Sequence, residues 1–138
     1  MRFIPTNIHG VLDYLVGALL IAAPWLLGFD RGGAETIVPV VLGAGTILYS
    51  LFTDYELSAV RRIPMPVHLM LDLGSGVLLA LSPWLFGFAD HVRDPHLLIG
   101  LFEIGAALTT RRRPAERRYQ GGLHTDGMMG RPSGGTRL

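Results

Sequence analysis

The chain contains no cysteine and no lysine. The first absence excludes disulfides, thiol nucleophiles, CxxC redox chemistry and thiolate metal sites. The second excludes lysine Schiff bases and the phosphate-binding lysine of Walker-type loops. All 12 basic residues are therefore arginine. Charge of either sign is scarce, at 17% of 138 residues, against about 25% in soluble domains. Apolar residues fill the gap: 49% are hydrophobic and the mean hydropathy is +0.39, although residues 111–138 are polar. The length suits one domain. The composition points to an integral membrane protein and names no activity.

Four apolar runs stand out, at 8–29, 36–52, 67–88 and 95–110. About 20 helical residues cross a 30 Å hydrocarbon core, so the second and fourth runs are at the short end. Without water, every backbone group must bond within its own segment, which makes helices of these runs. Turn-forming and charged residues separate them: Asp30-Arg31-Gly32-Gly33, then Thr53 to Pro66 with Arg61 and Arg62, then Ala89 to Arg93. Asp94-Pro95 reads as a helix start, with Asp as cap and Pro in the first turn. Arg2 and Ala22-Ala23 invite a signal-peptide reading of the first run. Asp13 in its body, and its recurrence later in the chain, argue against it.

That recurrence is the strongest signal. A shift of 59 residues lays His9 on His68, Asp13 on Asp72, Gly17 on Gly76, Pro24-Trp25 on Pro83-Trp84 and Gly28-Phe29 on Gly87-Phe88. Hydrophobic bias yields matching leucines; it does not yield His, Asp, Pro and Trp in register. The expectation is an all-α membrane protein of four transmembrane helices, built as two tandem two-helix repeats (about 4–53 and 63–110) within a membrane domain 1–110. Two spans per unit give both copies one orientation. Ten arginines (Arg2, Arg61, Arg62 and seven in the tail) fall on one side and two (Arg31, Arg93) on the other. The arginine excess marks the cytoplasmic side, so both termini are expected there.

The segments Ala23-Pro24-Trp25-Leu26-Leu27-Gly28-Phe29 and Ser82-Pro83-Trp84-Leu85-Phe86-Gly87-Phe88 resemble the signature of the SPW-repeat family of small bacterial membrane proteins. That family carries Ser-Pro-Trp in the first helix of each two-helix unit. The resemblance covers residues 8–110; the second copy matches fully and the first has Ala23 in place of Ser. It implies architecture and location and no activity.

Two sets of residues invite functional readings. Pro24, Trp25 and Gly28, with Ser82, Pro83, Trp84 and Gly87, fall at the outer helix ends. They read either as interfacial anchors with a shaped helix exit or as an outer groove lined by two tryptophans. Each proline removes a helical hydrogen bond; Ser82 can bond the freed carbonyl and Ala23 cannot. The second set is His9, Asp13, His68, Asp72 and Glu103. His9, Asp13 and Gly17 recur every four residues, as do His68, Asp72 and Gly76, so each trio lines one helix face. The first and third helices are expected to meet or turn inward along these stripes, with Arg2, Arg61 and Arg62 as partners of the carboxylates. Glu103 lies mid-span on a face with Gly100, Ala107 and Thr110, and its counterpart in the second run is Thr46.

An intramembrane acid is a functional candidate by default; its bland reading is a hydrogen bond to a neighbouring helix. No metal site is expected, because His-x3-Asp is not the Glu-x-x-His pattern of metal-binding bundles and water competes at the helix ends. His91, His96 and His124 form no pattern. No cofactor motif is present and none is expected.

Arg111-Arg112-Arg113-Pro114-Ala115-Glu116-Arg117-Arg118 opens the tail. It suits anionic lipid headgroups and also stops transfer through the membrane. Nucleic-acid binding is not expected of so short a membrane-tethered run; the tail beyond Tyr119 is expected to be disordered. The bilayer is thus the expected partner, and the small-residue faces fit either one narrow bundle or a homo-oligomer. Three functions remain: a structural or accessory membrane component, a small proton- or ion-linked transporter or channel using the carboxylates, and an enzyme. Neither a nucleophile–base pair nor a cofactor motif supports the third.

Overall fold

A computed structural model describes residues 2–112. The arginine-rich tail from 113 onward, with its expected disorder, lies outside the described residues. Among the described residues there are four helices: α1 Thr6–Leu26, α2 Ala34–Leu51, α3 Met65–Leu85 and α4 Asp94–Thr109. The first three are long and apolar enough to cross a membrane. At 16 residues, α4 extends about 24 Å, short of the 30 Å core, so its length does not by itself make it a span.

The helices α1 and α3 start earlier and stop sooner than their apolar runs, because each ends on a glycine stop. Gly28 and Gly87 have φ of +68° and +74°, a left-handed conformation that costs other residues strain. The next amide turns back, from Phe29 to the Pro24 carbonyl (2.9 Å) and from Phe88 to the Pro83 carbonyl (2.8 Å). This Schellman geometry sends Phe29 and Phe88 inward, where both are buried. At the start of α4, Asp94 is the first helical residue and makes no cap bond. Its carboxylate instead takes a 3.1 Å ion pair from the neighbouring Arg93. Pro95 does sit in the first turn.

The four helices run up, down, up, down, with α1 packed on α2 and α3 on α4. Glycines set both crossings. A Cβ on Gly43 would lie 2.5 Å from the Gly17 carbonyl oxygen, and one on Gly100 would lie 2.5 Å from that of Gly76. The main backbone contact between the hairpins is α2 on α3.

At one end the hairpins are laced together by short parallel bridges, Ile4 with Thr110 and Thr53 with Ile63. The strand leading into α1 is thus pinned to the end of α4, and the strand leading into α3 to the end of α2. Arg2 completes the first junction by donating to the Thr110 carbonyl (2.8 Å). Its counterpart is closed by the Asp54 amide on the Ile63 carbonyl (2.7 Å). Behind it, Tyr55 packs with Met65 and Leu69, over Gly10, where any side chain would collide with the ring. Burial pushes the Tyr55 hydroxyl above its ordinary range, so it stays neutral.

Candidate functional site

The four-residue spacing puts His9 and Asp13 on one face of α1, and His68 and Asp72 on one face of α3. The structure brings all four together across the hairpin boundary. His9 Nε2 lies 2.8 Å from Asp72 Oδ2, and His68 Nε2 lies 3.0 Å from Asp13 Oδ2. Each histidine also approaches the aspartate of its own helix, at 3.4 Å for His9–Asp13 and 3.2 Å for His68–Asp72. The two imidazoles meet edge to face, 5.5 Å apart. This centre is buried: His9 is 1% exposed, His68 0%, Asp13 6% and Asp72 4%. The laced junctions above cover it from the helix ends, where the sequence places it within reach of bulk water.

The carboxylates take the histidines, with Tyr49 donating to Asp72 Oδ1 (2.6 Å) and Ser50 to Asp13 Oδ2 (3.4 Å). Arg2 serves the Thr110 backbone instead. The inward stripes also divide. Their polar ends reach across to the other hairpin, while their small ends, Gly17 and Gly76, pack on α2 and α4 within their own hairpins.

Two threonines orient the rings. Thr53 Oγ1 lies 2.7 Å from both the Tyr49 carbonyl and His68 Nδ1. Thr110 Oγ1 lies 2.7 Å from the Ala106 carbonyl and 2.9 Å from His9 Nδ1. A hydroxyl has one hydrogen. Both short contacts are satisfied together only when it goes to the carbonyl and the hydroxyl accepts from Nδ1–H. Each Nε2 then faces the carboxylates as an imidazolium N–H, as a lone pair accepting from a protonated carboxyl group, or as a lone pair sharing a metal cation with them.

Glu103 is inward on α4, as its face predicts, and 8% exposed; neither carboxylate oxygen has a hydrogen-bond partner. Ser75, which faces it, gives its hydroxyl hydrogen to the Asp72 carbonyl (3.1 Å). Glu103 shares a cavity of about 20 Å³ with His9, Asp13, Asp72 and Ala106, room for about one water. The cavity has a simple origin. At the spacing that relates Thr53 to Thr110, Tyr49 corresponds to Ala106, so the space that a phenol fills beside Asp72 is left open beside Asp13.

The signature residues lie at the other end of the bundle. Trp25 and Trp84 are both exposed. Pro83 lacks the amide that would bond the Leu79 carbonyl, and Ser82 Oγ supplies that bond at 2.7 Å. The signature is thus a helix terminator: a proline, a hydroxyl that replaces its missing donor, an exposed indole and a glycine stop.

Sequence reasoning missed His96. It is buried, and its Nε2 donates to the Glu35 carbonyl (3.0 Å), the group freed four residues before Pro39. Phe29 and Phe88 flank its ring at 5.2 and 4.9 Å. Thr53 and Tyr49 were missed too. The Gly43–Gly100 offset of 57 residues, carried ten positions further, pairs Thr53 with Thr110; nothing comparable marks Tyr49.

Apolar helices closed around a buried His–Asp centre define a helical membrane protein. Its lineage is also shown: residues 7–110 match the family model of the SPW repeat domain, and the chain belongs to that family. No curated protein and no solved structure matches it.

Proposed function

We propose that the protein is a structural or accessory component of the bacterial inner membrane. In this reading it is a duplicated pair of hairpins with α4 as a fourth, short span, and with both termini in the cytoplasm. The observation that carries it is the crossed closure of the centre: each histidine bonds the aspartate of the other hairpin and is held by a threonine. This is the chemistry of a tie between two units. The duplication is supported by the paired contacts at equivalent positions. The orientation is supported by the ends themselves: Arg2, Arg61, Arg62, Arg111 and Arg112 stand at the laced end, and Arg31 and Arg93 at the other. The tail arginines add attraction to anionic headgroups, about 1 kcal/mol each.

The test is the thermal stability in detergent of the Asp13→Asn plus Asp72→Asn variant. Asparagine keeps shape and hydrogen bonding and removes charge. We expect a clear fall in Tm, because breaking buried ion pairs costs about 3–5 kcal/mol; an unchanged or raised Tm removes the tie reading. Glu103, with both oxygens unpartnered beside a cavity, favours a second reading as a small proton- or ion-linked transporter. Proton or ion flux in liposomes no faster than in protein-free vesicles would eliminate it.

A further inference from the structure

The geometry points to a binding site for one divalent first-row transition-metal ion, of the Zn²⁺ type, formed by His9, Asp13, His68 and Asp72. The inference does not rest on the structural reading above. A tie is read from stability without metal, a site from metal content.

The donor atoms are already gathered. One ligating atom from each of the four residues falls within a single group no wider than 4.8 Å. Asp72 Oδ2 lies 2.8 and 3.2 Å from the two Nε2 atoms, and Asp13 meets them through separate oxygens, Oδ2 at 3.0 Å from His68 and Oδ1 at 3.4 Å from His9. Tetrahedral ligands at 2.0–2.1 Å from a zinc ion sit about 3.3 Å from one another. Seating an ion lengthens the shortest His–Asp contact and draws any wider pair of the group, at most 4.8 Å apart, inward.

The orienting groups match what a metal requires. A ligating histidine normally donates its second ring N–H to a fixed acceptor, which sets the tautomer and the ring plane. Thr53 and Thr110 do this for both rings, and leave each Nε2 aimed at the centre. Tyr49 and Ser50 hold the carboxylates in the same way. Two neutral imidazoles and two carboxylates carry a charge of −2, which a divalent ion neutralises in a buried site.

A second, independent observation points to a ligand. Glu103 is more than nine-tenths buried, has no hydrogen-bond partner for either oxygen, and lines the cavity beside His9, Asp13 and Asp72. An acid so placed lacks what an added water or cation would supply.

The donor set also selects the ion. Two imidazoles with two carboxylates suit a borderline first-row ion. Ca²⁺ takes six to eight oxygens and Mg²⁺ keeps an octahedral oxygen shell, and Cu(I) calls for soft sulfur ligands. Known sequence patterns miss the site because each helix supplies only half of it, one His-x3-Asp pair apiece.

The test uses the full chain, purified in detergent through a tag without histidine, stripped with a chelator and equilibrated with Zn²⁺ or Co²⁺. We expect one Zn²⁺ per chain after desalting, and the strong visible absorption of four-coordinate Co²⁺. We expect at least a tenfold loss of occupancy in folded His9→Gln and His68→Gln variants, and none in His91→Gln or His124→Gln. X-ray absorption on the Zn²⁺-loaded wild type counts imidazole ligands directly, so the result does not depend on the variants folding; two are expected. Less than a tenth of an equivalent of Zn²⁺ overturns the site. So does weak six-coordinate Co²⁺ absorption, fewer than two imidazoles, or full occupancy in a folded His9→Gln chain.

Discussion

Single atoms decide most of what is distinctive in this protein. The Thr53 hydroxyl relays His68 Nδ1–H to a helix carbonyl, and both residues are fully buried. Thr53→Val keeps the shape and deletes the acceptor, leaving a buried N–H unpaired at a cost of about 1–3 kcal/mol. Thr110→Val should cost a similar amount through His9. Both show as a lower Tm in detergent, whereas Thr109→Val, at an exposed hydroxyl that bonds only its own helix, should change little. At this scale the sequence was half legible. The His-x3-Asp pairs stood out because a doubled polar pattern in an apolar run has no other ready explanation. Their partners did not, because spacing along one helix says which face a residue occupies and nothing about what stands opposite. Arginine was the nearest guess by charge; the structure places a histidine there by topology.

Among elements, the hairpins are set by two glycine crossings and two glycine stops. Gly43→Ala and Gly100→Ala drive a methyl group into the facing backbone, which cannot yield as a side chain can. Each should destabilise by about 1–3 kcal/mol. Gly45→Ala, on the same helix as Gly43 but with nothing within 4 Å, should be neutral or stabilising by up to about 1 kcal/mol. Melting of the three variants side by side checks the contrast. The apolar runs lie two or three residues beyond α1 and α3 toward the C-terminus at both ends. Hydropathy continues through Gly28-Phe29 and Gly87-Phe88, and it takes a positive φ to end the helix before the apolar residues do. The helix count was legible because four runs separated by charged turns admit little else.

For the whole molecule, topology is the part most open to direct measurement. The chain has no cysteine, so single substitutions report their side of the membrane without background. In right-side-out vesicles, Arg31→Cys and Arg93→Cys should react with an impermeant maleimide, and Ser58→Cys should not. The reverse pattern would invert the orientation. The His, Asp, Pro and Trp shared at a spacing of 59 residues are legible in the sequence, and the contacts of the two hairpins match at those positions. The sequence does not reveal that the hairpins close on each other crosswise, since spacing along the chain carries no information on which helices pair.

The lacing of the first helix to the end of the fourth also has a consequence in time. His9 enters the membrane in the first helix, yet its acceptor, Thr110, is the residue that follows the last helix. During synthesis the earliest polar pair therefore waits for nearly the whole helical domain to be made. A ribosome product that stops short of residue 110 leaves the His9 Nδ1–H without its acceptor, so this last tie of the ring forms only after the fourth helix is made.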